Sequence, residues 1–487
     1  MFYQAFNKIV KQSPHQTAVV SAGNKVSYLE LDNAVQNFVS VLQQNNVRQG
    51  SAVLIILPNS LEFVVAVFAV MALRAIAVPV NTKFPADEIK YYFDSSHAGA
   101  VIHAGLSDAV SDVVASGNKI AINFADLTAA PGHNSTAGIV EHTISSSDAA
   151  IYMYSSGSTG KPKRVTRTHG QLIAEAVALT ATLDLTADDN ILCTVPLYHA
   201  HGFGNCLMAS LLNGGTLVLT PGEFNSREVT RLLERCEITI YPAVPFMFKM
   251  LGETFYKVKP ILPKLRLLVS AGAALQAEIY ESFEKVFNKQ IMQLYGSTET
   301  GAVAVNYLPE RDTSASVGRP LHGFEVDILD ESGTPVADGS IGEIAIRAPS
   351  MTHQYDGLPE ITAECFVNNY FLPGDLGMKD VNGAIYIKGR KKLLINVAGN
   401  KVDPLDVEAV ISKHPKVQDV VVLGQPDALY GEMVKAVVVS RGECSVDEIT
   451  SFCAAHLIEY KVPKLVVFRS EIPRSPLGKI LRKYLQE

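Results

Sequence analysis

Short apolar runs and segments of helical spacing alternate along most of this chain. Ala52–Leu57 is a continuous apolar run, Glu62–Leu73 reads as a helix, and Ile76–Val80 returns to a strand. Val101–His103 and Lys119–Ile122 read as further strands, and Ser27 caps a predicted helix beginning Tyr28-Leu-Glu-Leu. Beyond a polar loop the pattern resumes. Gly170–Leu183 and Gly204–Leu212 predict helices, and Ile191–Val195, Thr216–Leu219, Ile238–Tyr241, Leu267–Ser270 and Ile291–Leu294 predict strands. Such alternation predicts a mostly parallel sheet covered by helices on both faces. After about residue 311 the texture changes to short alternating strands, Phe324–Leu329, Gly342–Arg347 and Ala384–Ile387, separated by Gly, Asp and Asn turns. A break follows at Gly389-Arg-Lys-Lys392. Pro404–His414 and Val446–Leu457 then predict helices, and Val420–Leu423 and Val434–Ser440 strands. The expected fold is α/β: a large N-terminal part, residues 1–389, of α/β layers with a small β-barrel-like unit over 311–389, and a small mobile α+β domain over 390–487.

Composition narrows the class. The chain has 487 residues, 47% of them hydrophobic, which supports two or three packed domains. A net charge of −7 argues against general nucleic-acid binding. The six cysteines are scattered without C-x-x-C spacing, so reduced thiols and a cytoplasmic setting are expected. The N-terminus lacks a signal-peptide pattern. The longest apolar run, Phe63–Leu73, is about half of what a bilayer span needs, so no membrane span is expected.

The loop Tyr154-Ser-Ser-Gly-Ser-Thr-Gly-Lys-Pro-Lys163 carries the most chemistry. Its glycines allow backbone N–H groups to converge, and hydroxyls and lysines add donors and charge, which suits phosphate oxygens. It departs from the common P-loop, which has Gly where Ser155 stands and Ser or Thr where Pro162 stands. A flexible Gly/Ser linker is the alternative reading of this stretch alone.

Other motifs follow in order: Gln293-Leu-Tyr-Gly-Ser-Thr-Glu-Thr-Gly301, Gly374-Asp-Leu-Gly377, Gly389-Arg-Lys-Lys392, Asn396-Val-Ala-Gly-Asn-Lys-Val402, Tyr460-Lys-Val-Pro-Lys464 and Pro473-Arg-Ser-Pro-Leu-Gly-Lys479. Together with the loop they resemble the adenylate-forming superfamily, which includes acyl-CoA synthetases, over nearly the whole chain. The resemblance implies activation of a carboxylic acid by ATP to an acyl-AMP, release of pyrophosphate, and displacement of AMP by a thiol. It implies that Ser155, Ser156, Gly157, Ser158, Thr159, Gly160, Lys161 and Lys163 hold the β- and γ-phosphates. Arg164, where the family usually has Gly, is expected to point to solvent. Glu299 is the implied Mg²⁺ ligand and Thr298 the donor to the α-phosphate, with Ser297 beside it. Tyr295 and Gly296 lie on one side of the adenine, and Gly272, Ala273 and Ala274 on the other. Asp375 would accept from the ribose hydroxyls and Arg390 would contact the nucleotide. Lys392 would be the hinge of a domain alternation that brings either Lys479 or the loop with Ala398 and Gly399, flanking the thiol channel, to the site. Lys479 would neutralise charge between carboxylate and α-phosphate.

Pro196-Leu-Tyr-His-Ala-His-Gly202 resembles the acyl- and aryl-CoA ligases. No acidic residue occurs between Asn190 and Gly222, which argues against an α-amino acid. His199, Phe203, Val244, Ala271, Gly272, Gly296, Ala302 and Val303 form the expected acyl-pocket wall, suited to a neutral aliphatic or aromatic carboxylate of modest length. A metal held by His199 and His201 lacks a third nearby ligand. The expected thiol is coenzyme A, with the phosphopantetheine of an acyl or peptidyl carrier protein as the alternative partner. A nucleotide-binding protein without catalysis and a P-loop ATPase releasing ADP stay open at this point.

Overall fold

The computed structural model describes residues 1–127, 145–155, 162–220, 222–307, 316–427, 430–474 and 480–485. The chain divides into two compact units, Met1–Val326 with Ile346–Phe371, and Asp327–Ala345 with Leu372–Glu487. The break expected at residue 389 falls inside the second unit.

The first unit contains two sheets. One has nine strands in the spatial order Arg319–Pro320, Gly301–Val305, Met292–Ser297, Leu267–Ser270, Ile240–Ala243, Asn190–Cys193, Thr216–Leu219, Thr17–Ser21, Asn24–Ser27. From Met292–Ser297 to Thr17–Ser21 all neighbours are parallel, and antiparallel strands close both edges. The other has six strands, Ile120–Asn123, Ala100–His103, Ala52–Ile56, Ile76–Pro79, Ala149–Ser155 and Lys163–Thr168. Only its last pair is antiparallel. Both faces of a parallel sheet are covered, and so Ala52–Ile56 and Ile76–Pro79 are buried at every position.

The helices fit this plan. The Phe63–Leu73 run forms the core helix Leu61–Ala72, capped by Ser60 and buried from Phe63 to Ala72. Tyr28–Gln44 starts at Ser27 with a full capping box to Glu30 and buries Leu31, Val35, Phe38, Val39 and Leu42 on one face. An unpredicted helix, Phe2–Gln12, buries Phe2, Phe6 and Val10, and the Phe6 ring meets Phe68 edge-on at 4.7 Å. The predicted Gly204–Leu212 helix begins earlier, at Ala200, and widens into a π-helical turn over Phe203–Met208. Among the described residues no helix is long and apolar enough to cross a membrane.

In the second unit Asp375–Lys379 pairs antiparallel with Ile385–Arg390 and, on its other side, with Ile341–Glu343. The C-terminal sheet is built on Gly431–Ser440, which pairs along its length with Val417–Asp427. Alternation divides the core. Val420 and Val422 pack with Val407, Ile411, Ile449 and Cys453 of the two helices, whereas Val421 and Leu423 face Ile472 and Leu485 of the tail.

Candidate active site

Predicted residues gather where parallel strands of the nine-stranded sheet end, the edge at which open α/β sheets bind ligands. Val244 follows Ile240–Ala243, Ala271–Ala274 follow Leu267–Ser270, and Tyr295–Ser297 end Met292–Ser297. Gly272 adopts φ +87°, and Val244 Cγ1 lies 3.8 Å from the position a Cβ there would take. Gly272, Ala273 and Ala274 are exposed and leave this crest without bulk. At Gly296 a Cβ would sit 2.3 Å from the Gly301 carbonyl oxygen, so only glycine permits the tight return into Gly301–Val305.

That return places Glu299. Its carboxylate is buried, and Oε1 accepts from the Tyr355 hydroxyl at 2.8 Å. Its carbonyl accepts from Thr352 N at 2.8 Å, and Ser350 Oγ donates to the next carbonyl, that of Thr300, at 2.6 Å. Oε2 has no protein donor among the described residues. Burial, reinforced by the Glu299 charge, pushes the Tyr355 phenol far above its usual range, so it stays a donor.

The predicted phosphate loop leaves the sheet at Ser155 and re-enters it at Lys163, and these two residues are register partners. Ser156, Gly157, Ser158, Thr159, Gly160 and Lys161 lie outside the described residues. Lys163 Nζ stands 4.7 Å from the centre of the Tyr355 ring. The expectation for Arg164 is corrected. Its side chain is turned inward, with Nε 3.3 Å from Asp356 Oδ2 and 18% of the side chain exposed. It also stacks 4.7 Å from the Tyr152 ring and donates to the Ser95 carbonyl. A guanidinium with apolar and anionic partners at hand gains more from them than from water.

His199 and Thr298 line one cavity of about 40 Å³, together with Tyr92, Tyr154 and Tyr198. The expected α-phosphate donor and the expected gate of the acyl pocket therefore border a common space. Phe203, Val244, Ala271, Ala302 and Val303 are buried but do not line this cavity, and Phe203 stacks on Phe2 at 6.1 Å. His201 is fixed by the Ala243 carbonyl at 3.1 Å and the Asn205 amide at 2.8 Å, and desolvation lowers it to about 4. Both ring nitrogens are thus engaged. Among the described residues no group of three His, Cys, Asp or Glu side chains is arranged to hold a metal.

Sequence reasoning missed Arg167 and Glu175. They form an ion pair at 2.9 Å with side chains 1% and 3% exposed. Arg167 Nη1 donates to the Thr298 carbonyl at 3.3 Å, and Glu175 Oε1 accepts from Ala302 N at 3.2 Å. The Glu175 carboxylate occupies the volume that a Cβ on Gly301 would fill. The pair thus grips both ends of the turn that carries Glu299. Burial raises the Glu175 carboxyl, against the pull of Arg167.

In the second unit Asp375 is buried, and its Oδ1 accepts from Arg390 Nε at 2.6 Å. The two predicted nucleotide contacts are thereby brought together. Lys392 is exposed on the turn Lys391–Leu393. Ala398, at φ +47°, and Gly399, at φ +89°, form the tip of the Ile395–Val402 hairpin. Lys479 lies outside the described residues; Arg474 and Ile480, which flank that stretch, form an antiparallel bridge, and Arg474 pairs with Asp419 at 2.6 Å.

Comparison with known proteins supplies the family. Residues 6–356 match the family described as AMP-binding enzyme, and 406–479 its C-terminal domain. The oxalate–CoA ligase of Arabidopsis thaliana is 30% identical, covering 98% of this chain and 96% of that protein. ATP-bound MatB from Rhodopseudomonas palustris superposes with a TM-score of 0.91 at 26% identity, over 100% of this chain and 98% of that one. The o-succinylbenzoate CoA synthetase of Bacillus subtilis, in complex with its acyl-adenylate intermediate, gives 0.90 at 27% identity, over 99% and 98%. Sequence and fold agree: the chain belongs to the AMP-binding enzymes, the adenylate-forming superfamily of the acyl-CoA synthetases.

Proposed function

We propose that this protein activates a carboxylic acid with ATP to an acyl-AMP and passes the acyl group to the thiol of coenzyme A. The observation that carries this is the shared cavity of Thr298 and His199, next in sequence to a carboxylate held by Tyr355. Phosphate-binding and acyl-binding groups meet there. An acid is ionised near neutral pH, so its oxygen attacks the α-phosphorus without a base. Pyrophosphate leaves into the Ser155–Lys163 loop. The enzyme's task is to position the two anions and offset their charge.

Glu299 fits Mg²⁺: one carboxylate oxygen is oriented by a phenol, the other has no protein donor among the described residues, and the remaining ligands of such an ion are usually phosphate and water. The bound ion would neutralise phosphate charge. Thr298 donates to the α-phosphate. Tyr295, Gly296 and Gly272–Ala274 take the adenine. In the second unit Asp375 and Arg390 take the ribose and nucleotide. Lys479 bridges carboxylate and α-phosphate in the first step. A turn about Lys392 then exchanges it for the Ala398–Gly399 tip, beside which the thiolate attacks the acyl carbon and AMP departs. Six cysteines, none of them in a disulfide among the described residues, support a reducing, cytoplasmic setting.

A panel of aliphatic, aromatic and α-amino acids in ATP–pyrophosphate exchange tests this reading. Exchange with a neutral aliphatic or aromatic acid is expected, and preference for an α-amino acid refutes the substrate class. Supplying coenzyme A or a phosphopantetheinylated carrier protein in parallel separates the two thiols.

A further inference from the structure

We propose that Tyr355 is a positioning residue that ties Lys163, at the end of the phosphate loop, to the carboxylate of Glu299, and that the Arg164–Asp356 pair keeps it in place. The inference rests on the function proposed above. One ring carries both contacts. Its hydroxyl donates to Glu299 Oε1 at 2.8 Å, and its face receives Lys163 Nζ at 4.7 Å. A cation over an aromatic face draws electron density from it, which makes the phenol a stronger donor. The bond occupies Oε1 and leaves Oε2 without a protein donor among the described residues. Phosphate cation and metal carboxylate are thereby set at a fixed separation by one rigid side chain.

The segment around Tyr355 is anchored on both sides. Toward the Glu299 turn, Thr352 N reaches the Glu299 carbonyl at 2.8 Å and Ser350 Oγ the Thr300 carbonyl at 2.6 Å. Toward the phosphate loop, Gln171 Nε2 holds the Met351 carbonyl at 2.6 Å. Asp356 accepts from Thr166 Oγ1 and pairs with Arg164, both on the strand that begins at Lys163. Arg164 is where this chain departs from the glycine usual in its family. Its guanidinium, with side chains of the pair 18% and 20% exposed, supplies an anchor that glycine lacks.

The test is ATP binding by calorimetry on the full chain, without acid, at limiting Mg²⁺ and with the metal chelated. Tyr355→Phe keeps the ring and removes the donor. We expect its Mg²⁺-dependent affinity for ATP to fall about tenfold, the equivalent of one hydrogen bond to a charged group, with metal-free affinity unchanged. In a Glu299→Gln background the same substitution should have no further effect. Arg164→Leu and Asp356→Asn should each weaken the Mg²⁺-dependent affinity, and together no more than singly. An unchanged Tyr355→Phe, or equal loss with and without metal, overturns the proposal. If the unaltered chain shows the metal dependence but forms no acyl-AMP with any acid, the functional reading fails and the positioning role stands. If it binds ATP equally with and without Mg²⁺, both fall.

Discussion

Glu175→Gln is the substitution whose effect the structure specifies most fully. Glutamine has nearly the same shape, so the packing against Gly204 and Gly301 is preserved. What changes is charge, and one of the two oxygens that accept from Ala302 N and Arg167 Nη2 becomes an NH2 group facing a donor. Arg167, 1% exposed, loses its counter-ion, and its Nε already lacks a partner among the described residues. Exposed ion pairs contribute roughly 0–1 kcal/mol, but stranding one charge of a buried pair costs about 3–5 kcal/mol. Replacing both, as in Arg167→Met with Glu175→Leu, removes the stranded charge and should recover most of that loss. The double variant still lacks the donor to the Thr298 carbonyl and the acceptor for Ala302 N, so the Glu299 turn loosens. Urea unfolding followed by circular dichroism measures the first effect, and ATP–pyrophosphate exchange the second. We expect Glu175→Gln to be destabilised by about 3–5 kcal/mol, and the double variant to regain stability while remaining impaired in exchange. A Glu175→Gln protein within about 0.5 kcal/mol of wild type, or a double variant as unstable as the single, would refute the argument.

Three further outcomes follow from particular residues. Gly296→Ala brings a methyl to 2.3 Å from a backbone oxygen, and should lower exchange by an order of magnitude or more, about 10-fold at least, with little change in the unfolding of the second unit. Lys479→Ala should retain ATP binding and lose adenylation by about 10²-fold or more, read by calorimetry against exchange. His169 is fully buried, both ring nitrogens lack a partner among the described residues, and burial lowers it from 6.5 to about 4. The unfolded chain then takes up a proton that the folded one refuses. Stability is whole above pH 6.5 and falls between 6.5 and about 4, by up to about 3 kcal/mol from this residue. Thermal unfolding against pH should show this slope, and His169→Gln should flatten it in part, because His201 is lowered to about 4 as well.

The parallel-sheet architecture was legible because buried strands and helices leave unmistakable apolar runs, as Ala52–Ile56 and Leu61–Ala72 show. The helix Phe2–Gln12 was overlooked although Phe2, Phe6 and Val10 repeat at helical spacing. The Ser297–Gly301 motif pointed to its own turn, and Gly296 and Gly301 explain themselves by backbone crowding. What surrounds that turn was not legible. Arg167 and Glu175 are eight residues apart, but their purpose depends on the Thr298 carbonyl, which is 131 positions from Arg167. Tyr355 meets Glu299 across 56 positions. Arg164 was misjudged for the same reason, since its partner Asp356 is 192 positions away. Local pattern reports burial and turns, whereas a partner brought in by tertiary packing leaves no mark beside the residue it serves.

Transfer of a labelled oxygen is the most direct test of an acyl-AMP on this protein. The accepted carboxylic acid is prepared with both oxygens as a heavy isotope and incubated with the protein, ATP, Mg²⁺ and coenzyme A. The account predicts one heavy oxygen in the AMP released and the other in the thioester. Unlabelled AMP, or ADP with inorganic phosphate in its place, would contradict it.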